Sequence, residues 1–137
     1  MKRYLSEVKQ GATAMTIWKR DEVGDNQEAK REVRVFNSES VFSTPKPERL
    51  VERVLTLGSN PGDLILDSFL GSGTTAAVAH KMCRKYIGIE MGNHAYTHCK
   101  MRLDKVIAGE DKGGITKSAG TFGTESMITD SGLAFLR

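Results

Sequence analysis

The stretch Asp67-Ser68-Phe69-Leu70-Gly71-Ser72-Gly73-Thr74-Thr75 constrains this chain more than any other. It sets a glycine loop between a short apolar run, Leu64-Ile65-Leu66, and a run of helical composition from Thr74 to Met82. The apolar run ends at Asp67 and is too short for a helix between two glycine-bearing loops, so it reads as a strand buried on both faces. A second buried strand, Tyr86-Ile87-Gly88-Ile89-Glu90, follows the helix. A strand-helix-strand unit of this kind crosses over right-handed in a parallel sheet, so the fold class is α/β. An earlier helix should start at Pro47, whose missing N–H suits a first turn. In it Leu50, Val51, Val54 and Leu55 form an apolar stripe, while Glu48, Arg49, Glu52 and Arg53 take the other side. A last helix, about residues 93–108, places Ala95, Cys99, Leu103, Val106 and Ile107 on one face, with Asn93 as its N-cap and Gly109 at its end.

By texture the chain divides into a polar arm (1–40), an α/β unit (41–109) and a Gly/Ser/Thr-rich tail (110–137). In the arm, Asn26 is expected to cap a short helix whose inner side carries Ala29, Val33 and Phe36. The six glycines from Gly109 to Gly132 raise the entropy of ordering the tail, which should be loose. A length of 137 residues with 39% hydrophobic content suits one domain. Cys83 and Cys99 form no CxxC pair and no long apolar run is present, which points to a reducing cytoplasm and no membrane. A net charge of +3 permits nucleic acid as a partner without requiring it. Only two strands are clear, so sheet edges stay unpaired and the isolated chain should be marginally stable or self-associate.

Ligands of open α/β sheets bind where such a loop leaves the carboxyl end of a strand. Gly71 and Gly73 let the backbone turn tightly, and the helix N-terminus offers N–H groups to an anion. Glu90 stands seventeen positions after Gly73, at the end of the second strand, where a carboxylate can accept both hydroxyls of a ribose. The glycine loop and Glu90 together fit one nucleoside. Gly71 to Ala76 satisfies the dinucleotide pattern G-x-G-x-x-A, which keeps an NAD-binding fragment open. S-adenosylmethionine carries an ammonium and a sulfonium and no phosphate, so Asp67 beside the loop favours it and disfavours a pyrophosphate. A mononucleotide P-loop is not expected, since the Lys it requires is absent and Thr74-Thr75 stands where G-K-[ST] belongs.

Thr44-Pro45-Lys46-Pro47-Glu48-Arg49-Leu50, Asn60-Pro61-Gly62-Asp63 and Leu66 to Thr75 together resemble the cofactor region of the β-class adenine-N6 and cytosine-N4 DNA methyltransferases. The likeness is nearest to the modification (Mod) subunits of type III restriction-modification systems and covers about residues 3–118, including Ile17-Trp18, Glu22 to Lys30 and Glu110 to Lys117. It implies a partial Rossmann-like, S-adenosylmethionine-dependent methyltransferase fold. It also implies that Phe69, Gly71, Gly73 and Thr74 form the cofactor loop, that Glu90 holds the ribose, and that Asp67 faces the ammonium. Lys46 and the helix start at Pro47 would take the methionine end. The implied parent enzyme flips a base out of DNA, adenine in preference to cytosine, and methylates its exocyclic amine.

Two departures qualify the likeness. The family's catalytic motif, Asp, Asn or Ser followed by Pro-Pro and an aromatic, does not occur among these residues, whose prolines are Pro45, Pro47 and Pro61. No residue is therefore assigned as catalytic. The family continues with Trp-Gln and a glycine-aromatic run where this chain has Thr121-Phe122-Gly123-Thr124-Glu125-Ser126. The alternative to an enzyme portion is a non-catalytic fragment or interaction module. Its partners would be a separate chain carrying the motif, a restriction subunit or a second copy. His94, His98 and Cys99, like His80 and Cys83, lack a second half at metal-ligand spacing, so no metal is expected. Trp18, Phe42 and Tyr96 read as packing aromatics, and Lys100, Arg102 and Lys105 as a solvated face.

Overall fold

The structure, a computed structural model, describes residues 13–39 and 42–117. Expectations for residues 118–137, the departure at Thr121 to Ser126 among them, lie outside the described residues, as do the arm before residue 13 and the boundary at 40–41. The elements are α1 (Arg20–Val23), α2 (Asn26–Arg34), α3 (Glu48–Gly58), β1 (Leu64–Asp67), α4 (Thr74–Lys81), β2 (Lys85–Gly88) and α5 (Met101–Ile107). A π-helical segment, Ala95–Lys100, leads into α5, and a 3-10 turn, Gly114–Lys117, follows it.

Helix boundaries follow local chemistry. The cap of α2 is Asp25, not Asn26: its extended backbone lets the carboxylate accept from the N–H groups of Gln27 and Glu28. Ala29, Val33 and Phe36 are buried along the inner side of this segment, as their spacing requires. Pro47 is the N-cap of α3 rather than its first helical residue. Before α5 no side chain caps the π-helical segment; the Asn93 carbonyl accepts from Tyr96 and Thr97 instead. At the far end Gly109, at φ +70°, closes a Schellman motif in which Gly109 N–H donates to Val106 and Glu110 N–H to Lys105.

β1 and β2 pair in parallel, with Leu64 opposite Lys85, Ile65 opposite Tyr86, Leu66 opposite Ile87 and Asp67 opposite Gly88. α4 packs against both strands, α3, α5 and the 3-10 turn. Its run Ala76-Ala77-Val78-Ala79 is wholly buried, because short side chains let these neighbours approach from several sides. Around it gather Leu55, Leu70, Tyr86, Cys99, Leu103 and Ile115.

The expectation of strands buried on both faces is corrected. Leu64 and Leu66 are 60% and 64% exposed, and Ile87 beside them is exposed as well. With helices on one face only, these side chains have nothing to pack against among the described residues, while Tyr86 on the other face is buried. Val54 and Ile107, assigned to apolar stripes, are exposed as well. The loose-tail expectation also fails for its first residues, since Ile115 is a core side chain and Asp111 is buried.

An open face of this kind should self-associate in water, because contiguous apolar surface is driven from solvent. Sedimentation velocity should show the weight-average mass rising with concentration. Leu66→Lys, which places a charge at an exposed position, should abolish that rise without altering the circular dichroism spectrum. A wild-type chain that stays monomeric throughout would refute the expectation.

Candidate functional site

β1 ends in a turn made by its own last residue: Asp67 Oδ1 accepts from the Phe69 N–H at 3.0 Å. The backbone pairing continues past the strand ends, with Ile89 N–H donating to Asp67 at 2.8 Å and Leu70 N–H to Ile89 at 3.0 Å. The chain then turns through Gly71 and Gly73, at φ +59° and +79°, a region L side chains rarely occupy. Space demands glycine too. A Cβ on Gly73 would lie 3.2 Å from the Cys99 Cα, which is backbone and cannot swing aside. Gly73 then caps α4, which begins without a side-chain cap, so its first-turn N–H groups have no intrahelical acceptor.

Glu90 ties the two strand ends together. Its Oε2 accepts from Gly71 N–H at 2.8 Å and its Oε1 from Gly92 N–H at 2.9 Å. These bonds, Gly92 first, hold the carboxyl below the usual carboxylate range against the opposing effect of burial, with His94 assisting. An ionised carboxylate has about four lone-pair directions, so after two amides each oxygen can still accept a hydroxyl. Phe42 lies against Gly71 and meets His94 edge-on at 5.1 Å, walling this side of the loop. Cys99 Sγ donates to the Gly71 carbonyl at 3.1 Å, and burial, with the Glu90 charge, pushes its thiol up to about 12, so it is an inert packing group.

The Lys46-Pro47 element arrives from the other side. Thr74 Oγ1 donates to the Lys46 carbonyl at 3.2 Å, which sets the start of α3 beside the start of α4. Asp67, Gly71, Gly73, Thr74, Glu90, Lys46 and Pro47 are thus brought into one region. Phe69 belongs to it by chain position only, since its ring is 90% exposed.

Beneath this region lies a charge cluster that the sequence reading missed. Glu48 and Arg102, both placed on solvated faces by their charge, are each 1% exposed. Arg102 Nη2 donates to Glu48 Oε1 at 2.7 Å, Lys81 Nζ donates to both oxygens of Glu48, and Lys81 also meets Asp111 Oδ2 at 2.6 Å. A signal was present in the spacing. Arg102 falls three residues after Cys99 and four before Val106, and Glu48 falls three before Val51 and seven before Leu55, so both sit on the apolar stripes. Glu32 borders the cluster: its Oε2 accepts from the Glu48 N–H at 3.1 Å, while its Oε1 is buried without a partner. Burial first, then the Glu48 charge, raises its carboxyl from 4.5 to about 7. Among the described residues no three His, Cys, Asp or Glu side chains gather as metal ligands, and no helix is long and apolar enough to cross a membrane.

The profile of the DNA methylase family matches residues 1–101. A probable type III restriction-modification enzyme HindVI Mod subunit from Haemophilus influenzae is 55% identical over 73 residues, 53% of this chain and 10% of the relative. The type II methyltransferase M1.MboII of Moraxella bovis is 58% identical over 48 residues, 35% of this chain and 18% of the relative. The DNA adenine methyltransferase YhdJ of Escherichia coli K12 is 49% identical over 61 residues, 44% of this chain and 21% of the relative. The matched stretches therefore span between 10% and 21% of these relatives. No solved structure matches the chain.

Two outcomes test this geometry. Gly73→Ala should lower unfolding free energy by about 2 kcal/mol in urea titrations, from left-handed strain and the approach to Cys99. A carboxyl with a raised folded pKa stabilises the fold fully below its unfolded value and loses that contribution as pH rises through the folded one. For Glu32 the window runs from 4.5 to about 7. Glu32→Gln, which keeps an acceptor for Glu48 N–H, should melt roughly 5 °C above wild type at pH 8 and level with it near pH 4.5.

Proposed function

Because the chain belongs to the DNA methylase family, we propose that it forms the S-adenosylmethionine-binding portion of a site-specific DNA methyltransferase of a restriction-modification system. The observation that carries the reading is the Glu90 carboxylate. It is anchored by one amide from each strand-end loop, with acceptor capacity left for two vicinal hydroxyls. Phe69, Gly71, Gly73 and Thr74 form the loop over which the nucleoside lies. Asp67 attracts the ammonium. Lys46, beside the start of α3 at Pro47, receives the carboxylate through its ammonium and the positive end of the helix dipole. When bound, the sulfonium supplies an electrophilic methyl group, and these residues only bind and orient it. Two carboxylates at one loop, Asp67 and Glu90, favour this cationic ligand over the pyrophosphate of NAD.

The finer assignments rest on the relatives. Two of them are named as a restriction-modification Mod subunit and a DNA adenine methyltransferase, which supports DNA as the substrate and adenine-N6 in preference to cytosine-N4. The parallel β1–α4–β2 unit supports reading the fold as part of a Rossmann-like sheet, with binding assigned to residues 41–109, flanked by the arm 1–40 and the tail 110–137. Free thiols at Cys83 and Cys99 suit the cytoplasm. No residue here is given a catalytic role, so base chemistry belongs to a segment bearing the Pro-Pro-aromatic motif. A second reading is favoured by the open apolar sheet face: an interaction module that pairs with a separate chain holding that motif, with a restriction subunit, or with a second copy.

Calorimetric titration with S-adenosylhomocysteine tests the first reading. Wild type should bind it and not NAD, and Glu90→Gln should weaken binding at least tenfold, about 1.4 kcal/mol. A folded chain that gives no heat would reject the cofactor role. Transfer of a labelled methyl group to DNA by the chain alone would separate an enzyme from a binding module.

A further inference from the structure

The buried charge cluster does more than fill the core, because one of its members touches both sides of the cofactor region. Arg102 Nη1 donates to Thr74 Oγ1 at 2.9 Å, with the Ser72 carbonyl at 3.4 Å, and Nη2 donates to Glu48 Oε1 at 2.7 Å. Thr74 is the first residue of α4 and Glu48 the first of α3. The Thr74 hydroxyl has one proton, which goes to the Lys46 carbonyl, so it can only accept from Arg102. Lys46, Thr74, Arg102 and Glu48 thus form one directed chain of hydrogen bonds, with a rigid planar fork as its spacer. The far side of the guanidinium lies 5.4 Å over the Phe36 ring, which fixes its plane. Arg102 Nε stays buried without a partner, so the group is oriented by the two helix starts rather than by full satisfaction of its own donors.

We propose that Arg102 is a positioning residue. Through Thr74 and Glu48 it holds the start of α3 against the start of α4, and so places Lys46 where the proposed reading puts the amino-acid end of the ligand. The inference rests on the methyl-donor reading above. It concerns one end of the ligand only, since Glu90, which serves the ribose, is held by Gly71 and Gly92 and makes no bond to this cluster.

The test compares two ligands on the full chain. S-adenosylhomocysteine carries the amino-acid end; 5′-methylthioadenosine shares the adenosine and sulfur and lacks it. Arg102→Lys keeps the charge but cannot fork to Thr74 and Glu48 together. It should weaken S-adenosylhomocysteine about tenfold and leave 5′-methylthioadenosine within about twofold. Asp111→Asn, which loosens the same cluster at its far end on Lys81, should lower the melting temperature without changing the ratio of the two affinities. If Arg102→Lys does not fold, Phe36→Leu, which removes the ring that fixes the guanidinium plane, should give the same selective loss. Equal losses for both ligands, or no loss for either, would overturn the positioning role. A folded wild type that binds neither ligand would instead overturn the methyl-donor reading, and the positioning role with it.

Discussion

The Glu48 carboxylate is the point on which this small structure converges. It opens α3, and it accepts from Lys81 on α4, from Arg102 on α5 and from the Ile115 N–H in the 3-10 turn at 3.0 Å. A buried carboxylate is tolerable only with several good donors, and here three elements supply them. The consequence is geometric. Hydrophobic contact is nearly indifferent to small slides of one helix along another, whereas charged hydrogen bonds are directional and short. The relative placement of α3, α4 and α5 is therefore set by the cluster, while the alanine-rich α4 allows them close enough to meet there.

The glycine loop depends on that placement from both ends. Thr74 is held from below by Arg102, and Gly71 from above by Glu90. The loop between them keeps its left-handed turns because Gly71 and Gly73 carry no Cβ, and Phe42 and Cys99 occupy the space a side chain there would need. The site is consequently formed by backbone and by buried partners, with few of its own side chains engaged. Such pre-organisation is what the proposed cofactor role requires.

The sheet is less complete than its helices. Two parallel strands covered on one face keep Leu64, Leu66 and Ile87 in water, and both outer strand edges lack a ladder partner among the described residues. Parallel strands are otherwise found almost only with both faces covered.

Much of the fold was legible from local pattern. Periodicity and the Pro, Gly and Asp signals located α2, α3, β1, α4 and β2 to within a residue or two, because these depend on backbone chemistry carried by neighbours in sequence. The loop, its two glycines and Glu90 were readable for the same reason. What stayed hidden depended on distant partners. Charge alone sent Glu48 and Arg102 to the surface, although their spacing lay on the apolar stripes. Burial of a charge is decided by whether a counter-charge 54 positions away arrives at 2.7 Å. Apolar character alone buried Leu64 and Leu66, yet a strand face is covered only if another element exists to cover it. The sequence by itself determined the elements and the loop chemistry. Only the tertiary structure decided which charges are interior and which apolar side chains remain in water, because both depend on contacts between segments that sequence order does not bring together.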